Sequence, residues 1–454
     1  MFKDNKIIIV DNEEKELKTL ATVFWKEGIA CKALEYDGFY SKPLKGVRVA
    51  FFDVNLTSSL APTSEFYDYN SDPGLKDIFH QLAIALTCYI AKDNGPYALI
   101  FWTNNQRLVN NFKVFMDERI SDYDVPVPVN IECIDKTDFL KSDLSEDEGL
   151  YSKICQLIHD SPINLLYDLE KKANQAVTNT INDIHSITLD DACSWQKPNN
   201  NLKKTFIKIA ESTIGRKHIK NRLGEGIISG LNPMINFHME QLISNQSWND
   251  LFPINDSEIQ SISLDSEKKY KLNTIFHINN NANRCERGSV YACSSDLINR
   301  YIGKKNEPND WIRQLINFKL ELDTEEKAQV QNIIKNSQII AVELSPACDY
   351  SQNKNRLLKF ILGIKTNEID DRLLSTIPAY SFFPKILMKP RDDSEQTFQL
   401  IFNFNYTISL PKPLSVNTDE SIGDLLFSLK KDYMDMLTTK YANHISRIGI
   451  TEFK

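Results

Sequence analysis

Residues Val47–Asp53 have the sequence VRVAFFD, an apolar stretch that ends in a single carboxylate. Short apolar runs containing Val and Phe are typical of strands that are buried on both faces, as in a parallel sheet. Lys6–Val10, KIIIV, has the same character and is followed by Asp11. Ligands of open parallel α/β sheets bind outside the carboxyl ends of the strands, where the strand order reverses. These two stretches therefore predict that Asp11 and Asp53 meet at one edge of a sheet.

The first 137 residues alternate between strand-like and helix-like segments. After Asp11, apolar residues at spacings of three and four predict a helix that ends near Gly28. Residues 55–74 are polar and aperiodic, and a long loop beside a switch point is more often functional than structural. The pattern predicts a flavodoxin-like, doubly wound parallel sheet. Its other strand candidates are Cys31–Tyr36, Tyr97–Trp102 and Val129–Ile134, and its other helix candidates are 75–91 and 105–120.

Four of the predicted strands are each followed by a polar side chain, in the order Asp11, Asp53, Thr103 and Lys136. This arrangement resembles the receiver domain of bacterial response regulators, over about residues 5–160. The resemblance implies that Asp53 is the phosphate acceptor, Thr103 the switch hydroxyl and Lys136 the lysine that pairs with the phosphate. It also implies a Mg²⁺ site at Asp11 and Asp53. Carboxylates, phosphate oxygens and water are the ligands that Mg²⁺ prefers.

The chain departs from the receiver pattern at three places. The second acidic position after the first strand is Asn12, so we expect Glu13 or Glu14 to supply the missing charge, and we assign Glu13 to the metal site. Thr137 stands where the family usually has proline, and the stretch between Asp53 and Thr103 is longer than usual. An atypical receiver of this kind could also serve as a docking surface that is never phosphorylated.

The composition indicates an acidic, intracellular chain. The 454 residues carry a formal net charge of -8, without the basic balance that nucleic-acid binding usually requires. No apolar run approaches the roughly 18 residues needed to span a membrane, and the N-terminus has no signal-peptide pattern. The eight cysteines form no CxxC pair, which indicates reduced thiols. We therefore expect a cytoplasmic protein without a membrane partner.

Residues 161–250 are predicted to be a helical connector. After Ser161-Pro162, apolar residues continue at spacings of three and four as far as Ile187 and predict a long amphipathic helix. That helix could pack within its own domain or form a homodimer. A basic cluster at 203–222 is interpreted as a solvated helix face. The alternative, which stays open, is that the cluster contacts nucleic acid or an acidic partner. Its members are Lys203, Lys204, Lys208, Arg216, Lys217, His218, Lys220 and Arg222.

Residues 251–454 are predicted to form a mixed α/β output domain with a small bent sheet or barrel. Helices are expected at Asp310–Phe318, Glu325–Lys335 and about Glu420–Ile445, the last one after Asp419. The strand candidates are Tyr270–His277, Gly288–Cys293, Gln338–Leu344, Leu357–Lys365 and Phe398–Ser409.

The stretch from Ser345 to Asp349, SPACD, follows one of these strand candidates. A thiol beside a carboxylate could be a nucleophile or a metal ligand, but no histidine is near and the cysteines lack zinc-site spacing. We interpret Cys348 as a buried structural thiol and Asp349 as a turn cap. The pattern is similar to barrel domains of uncharacterised bacterial proteins, and a likeness to PemK-type toxin ribonucleases rests on architecture alone.

The preferred interpretation is a response-regulator-like signalling protein with a receiver, a connector and an output domain of unknown activity. The receiver resemblance implies a histidine-kinase-like partner. It also suggests one possible context, a bacterial immune operon that pairs an atypical receiver with a histidine-kinase-like ATPase. Two alternatives stay open. One is an interaction scaffold that is not phosphorylated, and the other is an enzyme whose site lies in residues 251–454.

Overall fold

The computed structural model describes residues 6–38, 40, 42–56, 72–140, 147–159, 161–188, 201–244, 255–302, 305–344, 357–375, 380–390, 396–411 and 422–446. The chain divides into two compact units. The first comprises Met1–Ile187 and Pro233–Ile254, and the second comprises Thr188–Asn232 and Asn255–Lys454. The helical region that the sequence sets apart as a connector is thus shared between the two units.

The first unit contains a five-stranded parallel sheet. Its strands are β1 (Ile7–Asp11), β2 (Lys32–Glu35), β3 (Val49–Phe52), β4 (Ala98–Thr103) and β5 (Asn130–Asp135). They lie in the order β2-β1-β3-β4-β5, and each neighbouring pair is parallel. This confirms the flavodoxin-like arrangement predicted from the alternating segments.

Helices cover both faces of this sheet, and the central strands are fully buried as their apolar sequences require. Successive strand residues point to opposite faces, so Phe51 and Phe52 lie in different cores. The Phe52 core includes α2 (Pro73–Tyr89) and α3 (Gln106–Arg119). The Phe51 core includes α1 (Glu14–Lys26), α5 (Asp147–His159) and the start of α6 (Pro162–Thr188). A short helix, α4 (Thr137–Leu140), follows β5 directly.

Glu170 of α6 forms ion pairs with two basic residues that precede strands of the sheet. Arg48 donates to Glu170 Oε1 through Nε over 2.9 Å and through Nη2 over 2.7 Å, and Lys6 Nζ lies 2.9 Å from Glu170 Oε2. Lys6 precedes β1 and Arg48 precedes β3, so these contacts attach α6 near the amino ends of the strands. The opposite edge, at the carboxyl ends, carries the candidate site.

The second unit is built on a seven-stranded sheet. Its strands are β6 (Ile278–Asn279), β7 (Ser289–Ala292), β8 (Gln338–Glu343), β9 (Leu357–Thr366), β10 (Ser381–Phe382), β11 (Gln399–Pro411) and β12 (Leu425–Leu429). They lie in the order β10-β11-β9-β8-β7-β12-β6, and all neighbouring pairs are antiparallel. Because this order has two ends, the described strands form an open sheet, and an irregularity between Phe402 and Thr407 interrupts the register of β11.

Helices pack on both faces of this second sheet, which confirms a mixed α/β architecture. The helices of this region are α7 (Asn201–Ile214), α8 (Ile219–Ser244, in this unit as far as Asn232), α9 (Asp256–Ser261), α10 (Ser266–His277), α11 (Ser295–Ile302), α12 (Pro308–Ile316), α13 (Thr324–Lys335) and α14 (Lys431–Ile445). One core of the sheet includes α11, α12 and α13, and the other includes α14.

Two secondary-structure predictions in this unit are wrong. Tyr270–His277 belongs to α10 and is not a strand, because Asp265 caps the helix by accepting a 2.8 Å hydrogen bond from the N–H of Lys268. The final helix begins at Lys431 and not near Glu420, because Leu425–Leu429 pairs with β7 and β6 as a strand. Asp419, the predicted cap of that helix, lies outside the described residues.

Candidate functional site

Strand register brings the two predicted aspartates to the same edge of the first sheet. Val10 of β1 is paired with Phe52 of β3, so the next residues, Asp11 and Asp53, follow side by side. The side chain of Asp11 is 1% exposed and that of Asp53 is 11% exposed, although carboxylates are almost never buried without a partner. The two strands are neighbours at the switch point of this strand order.

Lys136 is the partner of both carboxylates. It follows β5, its side chain is 1% exposed, and its Nζ lies 2.8 Å from Asp11 Oδ2 and 3.0 Å from Asp53 Oδ2. The same Nζ contacts Glu16 Oε2 in the first turn of α1. An ammonium has three donors, so these three carboxylates take all of them. The structure thus brings together Asp11, Asp53 and Lys136, as the sequence predicts, and adds Glu16.

Asp11, Glu16 and Asp53 are the one group among the described residues with the composition of a metal site. One carboxylate oxygen from each residue lies within 4.8 Å of the other two. Glu13, which the sequence assigned to the metal site, is exposed and is not part of this group. Its backbone N–H instead donates to Asp11 Oδ1 over 2.9 Å.

Sequence reasoning missed Glu16, but the sequence contains a signal for it. Glu16 stands four residues before Leu20 and eight before Phe24, both of which are buried residues of α1. Residues at these spacings share one helix face, so the face of α1 that packs on the sheet also carries Glu16. Glu13 precedes the helix and does not share this geometry, because α1 begins at Glu14.

Burial and charge act in opposite directions on the ionisation of this group. Burial raises the pKa of Asp11 to about 6, even though the charge and hydrogen bond of Lys136 act to lower it. Burial alone would lower the pKa of Lys136, but the charges of Asp53 and Asp11 and the hydrogen bonds to Asp11 and Glu16 raise it above its usual value. Lys136 is therefore charged at neutral pH, and Asp11 is ionised there.

Several buried oxygen atoms at this edge have no hydrogen-bond partner among the described residues. They are Asp53 Oδ1, Asn12 Oδ1 and Asn55 Oδ1. Asn12 follows β1 and Asn55 follows β3, so both come from the strand ends that carry the two aspartates. Carboxylate and amide oxygens are ligands of hard divalent cations. The residues present therefore fit a metal ion, and Asp11, Asp53 and Glu16 are the carboxylates that could hold it.

Thr103 and Thr137 complete the sheet edge. Thr103 is fully buried at the end of β4, and its hydroxyl accepts a 3.2 Å hydrogen bond from the N–H of Asn105. Among the described residues, no acceptor takes a hydrogen bond from its O–H. Thr137 donates to Asp135 Oδ1 from its backbone N–H over 2.8 Å and from its hydroxyl over 2.7 Å. Proline at 137 would lack the N–H donor, so threonine and Asp135 together define this turn.

Some predicted features lie outside the described residues, including most of the loop beside Asp53 (57–71), Cys348 and Asp349. Within the second unit, the thiol of Cys293 is buried, and burial raises the pKa of this thiol to about 12, which makes it a poor nucleophile.

Two members of the basic cluster at 203–222 form ion pairs. Lys208 is paired with Glu211, and Arg222 is paired with Glu225. Among the described helices, none is long and apolar enough to cross a membrane.

Comparison of the chain with protein family models, with curated proteins and with solved structures finds no significant match. The parallel sheet of order 2-1-3-4-5 and the buried Asp11–Glu16–Asp53 group are consistent with a flavodoxin-like or receiver fold.

Proposed function

We propose that the first unit is a receiver-like signalling module that accepts a phosphoryl group on Asp53. This proposal is supported by the different hydrogen bonding of the two carboxylate oxygens of Asp53. One of its oxygens is held by Lys136 at 3.0 Å, and the other, Oδ1, is buried without a partner among the described residues. A carboxylate that is fixed by one oxygen and free at the other is positioned to act as a nucleophile.

In the proposed reaction, Asp53 Oδ1 attacks the phosphorus atom of a phosphodonor. A bond forms between this oxygen and phosphorus, and the bond from phosphorus to the leaving group breaks, with its electron pair staying on the leaving group. The product is an aspartyl phosphate. A bound Mg²⁺ would neutralise charge on the phosphoryl oxygens, and Asp11, Glu16 and Asp53 are the residues that would hold it.

Lys136 and Thr103 would report the phosphorylated state. The phosphoryl group carries a charge of about -1.5 to -2 at pH 7 and offers strong acceptor oxygens. Lys136 can exchange a carboxylate oxygen for a phosphoryl oxygen, and the Thr103 hydroxyl can donate to one. Because Lys136 directly precedes α4, its movement would shift that helix. The second unit would then be the output, and a histidine-kinase-like protein would be the donor.

The alternative is a docking module that is never phosphorylated. One observation favours this alternative. The three N–H donors of Lys136 are already used by contacts with the carboxylates of Asp11, Glu16 and Asp53. Incubation with Mg²⁺ and a small phosphodonor, followed by intact-mass measurement, separates the two functions. The proposal predicts a labile adduct of one phosphoryl group in the wild type and none in Asp53→Asn. An unmodified wild type, under conditions that label a control receiver, would favour the docking module.

A further inference from the structure

A cavity of about 360 Å³ lies at the amino ends of β1 and β3, at the edge of the first sheet opposite Asp53. Its apolar wall is formed by the first residues of these strands, Ile7 and Val49, together with Phe24 of α1 and Ile154 of α5. Residues in the first two turns of α6 line another part of the cavity. Protein interiors contain few spaces larger than a water molecule, so a space of this size is suited to a ligand.

The cavity has the volume and the lining of a small-molecule site. Such sites usually measure about 300 to 1,000 Å³ and combine apolar walls with a few polar groups. An apolar cavity of about 150 Å³ holds a benzene molecule, so a volume of about 360 Å³ is sufficient for a molecule of about two rings.

The polar but uncharged side chains that line the cavity include Tyr151 and Cys155 of α5 and Asn164 of α6. Burial raises the pKa of Tyr151 to about 12, and its hydrogen bond with Cys155 acts in the same direction, so the hydroxyl is uncharged at neutral pH. Hydroxyl and amide groups can both donate and accept hydrogen bonds. A ligand with one polar group could therefore be oriented by Tyr151 and Asn164.

The charged groups at the cavity are already compensated. Asp168 is the one acidic side chain among the described residues that line it, and Lys172 donates to Asp168 Oδ2 over 2.5 Å. The side chains of Asp168 and Lys172 are 15% and 5% exposed. His159, which also lines the cavity, is exposed to solvent. A buried charge without a partner is costly, so this arrangement favours an uncharged ligand.

We infer that this cavity binds an uncharged molecule of about two rings, with one hydrogen-bonding group directed to Tyr151 and Asn164. Because the cavity lies between the sheet, α5 and the first two turns of α6, a bound molecule would add contacts between α6 and the sheet. Glu170, in the same helix, already pairs with Lys6 and Arg48 beside the same strand ends. The ligand would thus stabilise the attachment of α6, a role that is separate from phosphoryl transfer at the opposite edge.

The test is a titration of the full-length protein, by calorimetry, with naphthol, which is uncharged at neutral pH, and with naphthoate, which has the same rings and a negative charge. Ile158 lines the cavity, and Ile158→Trp should fill it and weaken naphthol binding about tenfold or more. Gln156→Trp adds the same side chain at an exposed position of α5 that does not line the cavity, so this matched control should bind naphthol as the wild type does. Naphthoate should bind the wild type about tenfold more weakly than naphthol, or more weakly still.

Alkylation of cysteines by iodoacetamide gives a second measurement, which needs only the wild type and stays decisive if Ile158→Trp does not fold. Naphthol should slow the alkylation of Cys155 but not that of Cys88, which packs against the core on the other face of the sheet. Equal slowing of both cysteines, no saturable binding of naphthol, or equal binding by Ile158→Trp and the wild type would show that the cavity is not a ligand site. Naphthoate that binds as tightly as naphthol would overturn the uncharged class of ligand. No phosphodonor is present, so these outcomes leave the phosphoryl-acceptor function unaffected.

Discussion

Lys136 donates a hydrogen bond to Asp53 Oδ2 over 3.0 Å, although 83 residues separate the two in the sequence. The contact joins the end of β3 to the end of β5 at one edge of the sheet. Both side chains are buried, and a buried charge is tolerated when it is paired. A change of charge on Asp53 therefore acts directly on the residue that precedes α4.

Replacing Lys136 should destabilise the cation-free protein strongly. Lys136→Ala leaves three carboxylates without their counter-charge, and breaking a buried ion pair from one side costs about 3 to 5 kcal/mol. Urea unfolding in the presence of a chelator measures this, and added Mg²⁺ should restore part of the loss. Lys18→Ala is the control, because Lys18 pairs with Glu14 at the surface and such pairs contribute about 0 to 1 kcal/mol. Equal effects of the two substitutions would contradict the structure of the site.

Lys136 should also be required for the conformational response to phosphorylation. We expect Lys136→Ala to keep some phosphorylation and to lose the response. The ring of Trp102 lies 6.2 Å from that of Phe139 in α4, so movement of α4 should change the fluorescence of Trp102. The measurement compares this change on phosphorylation in wild type and Lys136→Ala, with Trp102→Phe to assign the signal. A response in Lys136→Ala that matches the wild type would show that another group senses the phosphate.

The cation-free protein should lose stability as the pH rises towards neutrality. The pKa of Asp11 is about 6 in the folded protein and 3.8 ordinarily, so the folded state binds this proton more tightly than the unfolded chain does. The contribution of Asp11 to the free energy of unfolding is therefore fully present below about pH 4. It is lost as the pH rises through about 6, and the total loss is about 3 kcal/mol at most.

Unfolding in denaturant across this pH range, with a chelator present, measures this effect of Asp11. The decline should shrink in Asp11→Asn, and Mg²⁺ should also reduce it by pairing with the ionised carboxylate. A wild-type profile that is identical to that of Asp11→Asn would show that Asp11 does not titrate in this range.

Two glycines of α8 should respond in opposite ways to alanine. A Cβ at Gly230 would lie 2.5 Å from Ile209 Cγ2 and 2.7 Å from Thr213 Oγ1 of α7, so Gly230→Ala should destabilise the second unit by about 1 to 3 kcal/mol. A Cβ at Gly224 would meet nothing within 4 Å, so Gly224→Ala should stabilise by about 0.5 to 1 kcal/mol through helix propensity alone. Chemical denaturation checks both. Stabilisation by Gly230→Ala would mean that the helices are not in close contact there.

The sequence predicted the first sheet well because its central strands are buried on both faces and appear as uninterrupted apolar runs. The sequence indicates Asp11, Asp53 and Lys136 because each stands at the carboxyl end of a strand. The sequence analysis did not identify Glu16, because this residue reaches the site from the first turn of α1 and not from the end of a strand. Its position at the site depends on the residue at which α1 begins. In the second unit, Tyr270–His277 contains Leu272, Ile275 and Phe276, and such short apolar segments fit a strand or a helix equally well. The capping hydrogen bond of Asp265 favours the helix, and apolar spacing does not reveal such a cap.

The most direct measurement of the central claim is chemical mapping of the phosphorylated residue. The protein is incubated with Mg²⁺ and a small phosphodonor and then treated with borohydride, which reduces an aspartyl phosphate to homoserine, and the peptides are analysed by mass spectrometry. We predict homoserine at position 53 in the wild type and at no other aspartate, with none in Asp53→Asn. Homoserine at another aspartate, or intact Asp53 under conditions that label a control receiver, would contradict the assignment of Asp53 as the phosphoryl acceptor.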